Sequence, residues 1–454
     1  TGSTINLGGN ISTADVLGNS VTLTGAVTLD TNITINSDNT TNDGIISIIG
    51  AVSAGNYDLT ITSGTANTNV DGISSVDDLV ITGSTINLGG NISTADVLGN
   101  SVTLTGAVTL DTNITINTDN TTNDGIINII GAVSAGNYDL TITSGTANTN
   151  VDGISSVDDL VITGSTINLG GNILTADVLG NSVTLTGAVT LDTNITINTD
   201  NTTNDGIIGI IGAVSAGNYD LTVTSGTANT NVDAISSVDD LVITGSTINL
   251  GGNISTADVL GNSVTLTGAV TLDTNITINT DNITNDGIIS IIGAVSAGNY
   301  DLTITSGTAN TNVDGISSVD DLVITGSTIN LGGNISTADV LGNSVTLTGA
   351  VTLDTNITIN TDNITNDGII SIIGAVSAGN YDLTITSGTA NTNVDGISSV
   401  DDLVITGSTI NLGGNISTAD VLGNSVTLTG AVTLDTNITI NTDNTTNDGI
   451  ISII

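Results

Sequence analysis

The chain has no lysine, arginine or histidine among its 454 residues, and its 44 acidic residues are all aspartate. Cysteine, methionine, tryptophan, phenylalanine and proline are absent as well. Each absence removes a chemistry. Without His, Cys, Lys or Glu the chain cannot build a Ser-His or Cys-His nucleophile, a Schiff-base lysine or an imidazole base. It has nothing with which to neutralise a phosphate, so nucleic acid is not an expected partner. Zinc sites of the Cys/His kind are excluded. The composition therefore argues against an enzyme.

The residues that remain are Gly, Thr, Asn, Ser, Asp and small aliphatics, with 38% apolar content and a formal charge of −44. The apolar residues are mostly Ile, Val and Leu, which suit pleated sheets, and they are too many for a disordered acidic chain. No apolar run is long enough to predict a membrane span. The chain begins at Thr1 without a basic-then-apolar leader and reads as an internal window of a longer protein.

The sequence TGSTINLGGN begins at Thr1, Thr82, Thr163, Thr244, Thr325 and Thr406, a constant spacing of 81. The domain organisation is thus one array over 1–454, with repeats 1–81, 82–162, 163–243, 244–324, 325–405 and a partial copy, 406–454. Few columns vary, among them Ser12/Leu174, Thr40/Ile283, Ser47/Asn128/Gly209, Ile61/Val223 and Gly72/Ala234. Inside each unit, alternating segments recur around marker glycines, in the first copy Gly9, Gly25, Gly50 and Gly72, with Gly90 opening the series again in the second. Alternation of period two reads as strand with one face buried.

The predicted fold is all-β, a parallel β-solenoid (β-helix) of tandem 81-residue repeats with about four coils of roughly 20 residues in each. Ile5, Val21, Ile46 and Thr68 are expected to stack in one inward column, and Leu7, Leu23, Ile48 and Val70 in another. Positions 12 and 47 are expected to face outward and position 61 inward. The change of Gly72 to Ala234 predicts a corner without positive φ. A string of Ig-like sandwiches is the rival, but those bury a large aromatic anchor that this unit lacks.

The runs GNSVTLTGAVTLDTNITINTDN and GAVSAGNYDLTITSGTANTNVDGISSVDDLVITGSTINLGG resemble the β-strand repeats of giant bacterial surface and secreted proteins. Those are of the filamentous haemagglutinin or autotransporter-adhesin type. The resemblance covers the whole chain and implies an exported bacterial stalk or fibre, extracellular or on the cell surface, with no catalytic residues to carry over.

Each full repeat carries eight aspartates, in the first copy at positions 15, 30, 38, 43, 58, 71, 77 and 78. At about 4.8 Å per coil this approaches the linear charge density of duplex DNA, so salt and divalent cations should stabilise the fold. No cofactor is required, though Ca²⁺ or other cations are expected as counterions. The candidate calcium ligands are Asp38, Asn39 and Asp43, in an oxygen-rich loop, and the pair Asp77 and Asp78. The bland reading of the same residues is that turns favour Asx. Ile45, Ile49 and Val80 fall on outward positions, recur in every repeat, and are expected to form a discontinuous apolar stripe. The expected partner is self-association, through another copy or the continuing chain, or else a peripheral segment packed on that stripe. The sequence-level function is a structural extracellular filament, with the stalk of a bacterial adhesin as the alternative.

Overall fold

The computed structural model describes all 454 residues, which form 51 strands and no helix. It divides into two units, Thr1–Asn229 and Thr230–Ile454, and each is a parallel β-solenoid with turns of about 22 residues. Thr, Asn, Gly and β-branched residues oppose helix, and a strand with one aliphatic face is stable only when neighbouring coils cover its edges.

Within the first unit the strands fall in turn on three faces. On one face the inward side chains stack as Ile5, Val27, Val52, Ile73, Ile92 and Ile116. The second stacks Ile11, Ile35, Ile61, Ile81, Leu104 and Ile129. The third stacks Val21, Ile46, Thr68, Ile86, Val108 and Val133. Like sits on like, one parallel-strand spacing of about 4.8 Å apart, so each aliphatic side chain is covered by its neighbours above and below. Away from the chain ends these columns are almost wholly inaccessible to solvent. Thr68 is the polar member, and its hydroxyl lies 2.9 Å from Ser63 Oγ inside the core. The second unit repeats the arrangement, for example with Ile235, Ile254, Ile278 and Ile304 in one column.

The 81-residue repeat and the turn do not share a common boundary. Between Ile5 and its copy Ile86 the chain lays down eleven strand segments, counting residues 78–82 of the long Asp78–Leu88 strand as the last. At three segments per turn, one repeat is three turns plus two faces of a fourth, which makes up the expected four or so coils. The consequence is a rotation. The Thr4–Leu7 segment lies on the first face, its copy at 85–88 on the third, and its copy at 166–169 on the second. Every segment keeps the same neighbours above and below while its azimuth moves by one face per repeat.

This corrects one expected column. Val21, Ile46 and Thr68 stack as anticipated, as do Leu23, Ile48 and Val70, but Ile5 sits over Val27 and Leu7 over Leu29. The cause is the short interval from Gly9 to Gly25. It spans two faces, whereas the other three glycine intervals each span a complete turn, and counting it as a coil makes the expected turn too short.

Corner geometry explains the glycines. Gly25 and Gly50 have φ of 125° and 123°, a region that L side chains avoid. Gly72 lacks positive φ, and a Cβ there would meet only the Asn91 backbone, its carbonyl oxygen at 3.4 Å and its nitrogen at 3.9 Å, which is why Ala234 fits in its place. The outward columns are tied by side chains. Asn69 Nδ2 donates to Ser47 Oγ at 3.0 Å, Asn87 donates to Asn69 Oδ1, and Thr109 donates to Asn87 Oδ1, a ladder through four coils. Positions 12 and 47 face outward and Ile61 is buried, as their substitution patterns predict.

Candidate functional site

Two ladder partners, Leu59 and Leu79, stand one above the other on the second face. Asp58 enters the upper strand, and Asp77 and Asp78 enter the lower. Register therefore brings three carboxylates together, with an oxygen of each within 4.8 Å of the other two. Asp78 donates its backbone N–H to Asp58 Oδ1 at 3.3 Å, and Asn32 Nδ2 donates to Asp58 Oδ2 at 2.5 Å. Ser101 Oγ, one coil further on, donates to Asp78 Oδ1 at 2.6 Å. Partial burial raises the Asp77 carboxyl above its ordinary range, and repulsion from Asp58 and Asp78 raises it further. The same triad recurs as Asp139, Asp158 and Asp159 in the first unit, and as Asp301/Asp320/Asp321 and Asp382/Asp401/Asp402 in the second.

The structure thus joins the predicted pair Asp77 and Asp78 to a third carboxylate, Asp58, that sequence reasoning passed over. The missing signal was the kinship of the runs YDLTIT and DDLVIT, which lie one turn apart. Carboxylate oxygens at this separation suit a hard cation such as Ca²⁺, which takes six to eight oxygen ligands, with the remainder from water.

The other candidate loop is built differently. Asp43 Oδ2 accepts from the Thr65 backbone N–H at 2.8 Å and from Thr65 Oγ1 at 2.7 Å, across to the next coil. Its Oδ1 accepts from the Asn39 N–H at 2.8 Å. These bonds, led by the Thr65 hydroxyl, hold the Asp43 carboxyl below its ordinary range. Asn39 turns its amide onto Ser37 O, Asn42 O and Thr13 Oγ1, each at 3.1 Å, and so braces the loop from within. Asp38 Oδ1 and Asp43 Oδ2 both crowd Gly64, where a Cβ would approach them to 2.7 and 2.6 Å. Asp38, Asn39 and Asp43 are therefore gathered in one place, and the Asp43 oxygens already serve as acceptors for the fold.

Comparison with protein families, characterised proteins and solved structures finds no match. The structure therefore shows a repetitive parallel β-solenoid, and no family or relative ties it to the giant bacterial surface proteins. No helix is long and apolar enough to cross a membrane.

Ile45 and Ile49 do face outward, at 47% and 50% exposure, while Val80 is half-buried between Thr60 and Thr103 of adjacent coils. They do not line one side. Ile45 lies on the third face, its copy Ile126 on the second and Ile207 on the first. The expected single stripe is a winding set of patches, for the reason that rotates every segment. A second exposed apolar feature went unnoticed in the sequence. Leu98, at the tip of the loop after the Ile92–Thr94 strand, is 90% exposed, and its copies are equally bare. Asp96 Oδ1 fastens that loop to the next coil by accepting the N–H groups of Thr122 and Asn123.

Proposed function

We propose that this chain is a structural, extracellular fibre protein whose work is to span distance and withstand the medium. The observation that carries this reading is the register. Within the first unit each repeat hands its strands to the next with the same neighbours, so a repeat is added at no change in packing. Such a ladder is stabilised by nearest-neighbour stacking and lengthens simply by adding repeats. The alphabet suits the setting: a chain with no Lys or Arg offers trypsin no site, and one with no Cys or Met lacks the readily oxidised side chains. An adhesin stalk is the same mechanical role with a binding tip attached elsewhere.

Contact between copies in this reading requires cations, because each copy brings carboxylates and no basic side chain to meet them. Electron microscopy of the purified chain with and without millimolar Ca²⁺ tests the proposal. Slender particles of uniform width that give an axial reflection at about 4.8 Å support it, and compact beads contradict it.

A further inference from the structure

The Ile45–Ile49 strand ends in exposed isoleucines at both extremities, about 13 Å apart at the usual rise per residue. Between them lies Ser47, held by Asn69. The patch is bounded by acid. Asp43 precedes it by two residues. In the next coil the Asp71 carboxylate crosses to accept the Gly50 N–H at 2.6 Å, which places it beside Ile49. The copies keep the pattern: Gly131 donates to Asp152, Gly293 to Asp314 and Gly374 to Asp395, each at 2.8 Å beside Ile130, Ile292 and Ile373. In the first unit Ile45, Ile126 and Ile207 open these strands on the third, second and first faces in turn.

Charge decides what can cover such a patch. A second copy of this chain would set carboxylates against carboxylates, with no Lys, Arg or His on either side. A segment of opposite charge would gain from every carboxylate it approaches and would bury the isoleucines as well. We propose that the Ile45/Ile49 patches, with Asp43 and Asp71 at their ends, bind cationic amphipathic peptide segments, in which Lys or Arg flanks apolar side chains. The rotation of the repeat then presents these sites around the whole surface, so that one chain gathers many such peptides. This binding does not rest on fibre formation.

The test is fluorescence or calorimetric titration of the full chain at about 0.15 M salt. One probe is a short peptide of alternating leucine and lysine, and the other is oligolysine of equal charge. The expected result is binding of the leucine-containing peptide about tenfold tighter than oligolysine. That preference should vanish when Ile45, Ile49 and their copies are changed to Ser, or to Thr, which keeps a β-branched side chain in the strand should the Ser variant unfold. Equal affinity for both probes, or a preference that survives in a folded variant, would overturn the proposal. So would chain–chain association without peptide that is lost in the variant, since that result makes the second copy the occupant.

Discussion

Gly50 lies directly on Gly25 at one corner of consecutive coils, and a Cβ built on Gly50 would stand 2.8 Å from the Gly25 carbonyl oxygen. Both residues have strongly positive φ, 123° and 125°, so a side chain there meets strain and backbone at once. Changing Gly50 and its copies to Ala should destabilise each repeat by on the order of 1–3 kcal/mol. The same change at Gly72 should be nearly silent, as Ala234 already indicates. Thermal melts of the two variants check the contrast, and equal losses would contradict the corner geometry.

Ser75 offers the opposite change. It adopts φ of 56°, as do its copies near that value, at a bulge where the register between Ile73 and Val76 slips against the next coil. Glycine tolerates this conformation at no steric penalty but adds freedom to the unfolded chain. The strain relieved outweighs that freedom, so replacing Ser75 and its copies by Gly should raise stability by roughly 0.5–1 kcal/mol per site. A fall in melting temperature would show that the Ser75 side chain contributes more than its backbone strain removes.

Acid should first strengthen the fold and then weaken it. The raised carboxyl of Asp77 binds its proton more readily folded than unfolded, so this group's contribution is fully present below the unfolded value and lost as pH rises through the folded one. Asp15 and Asp43 behave conversely. The Asn42 amide lowers the first and the Thr65 hydroxyl the second, so their stabilisation is present above the unfolded value and lost as pH falls. The melting temperature should rise from pH 7 to a maximum at about pH 4–5 and drop below about pH 3. A monotonic fall on acidification from neutrality would contradict the role given to the triads.

The triads also predict a cation effect beyond screening. At equal ionic strength Ca²⁺ should stabilise the chain more than Na⁺, and Asp77→Asn in every repeat should remove most of the difference. Without Ca²⁺ the same substitution should itself stabilise at pH 7, because it relieves repulsion from Asp58 and Asp78. Tyr57, next to Asp58 in sequence, provides a direct readout through sensitised Tb³⁺ luminescence. Equal melting in the two salts would restrict the aspartates to the part of diffuse counterion collectors.

Much of this was written in the alternation itself. Ile33/Ile35, Ile46/Ile48 and Leu59/Ile61 announce inward faces, and Ser12 and Ser47 announce outward ones by changing freely. The phase of the repeat was not legible, because Gly9 looks like the other corner glycines and nothing local marks its interval as two faces long. In the structure a Cβ on Gly90 would crowd the Gly72 backbone at 2.7 Å, so those two share a corner. At the next turn residues 111–113, which contain no glycine, occupy that position, so the glycine marker moves to another corner. The triad was hidden for a related reason, since Asp58 meets Asp78 only when Leu59 is known to lie one turn above Leu79.

The rotation of the repeat is the central claim, and paired cysteines test it in a chain that has none of its own. Asn87 and Thr109 are register partners on the third face, whereas Thr103, the neighbour expected if the Gly9–Gly25 interval were a whole coil, lies on the second. Adjacent parallel strands hold Cα atoms within disulfide range. Under mild oxidation the double variant Asn87→Cys/Thr109→Cys should close an intrachain disulfide, and Asn87→Cys/Thr103→Cys should stay reduced. The reverse outcome, bonding of 87 to 103 and not to 109, would contradict a repeat that advances by three turns and two faces.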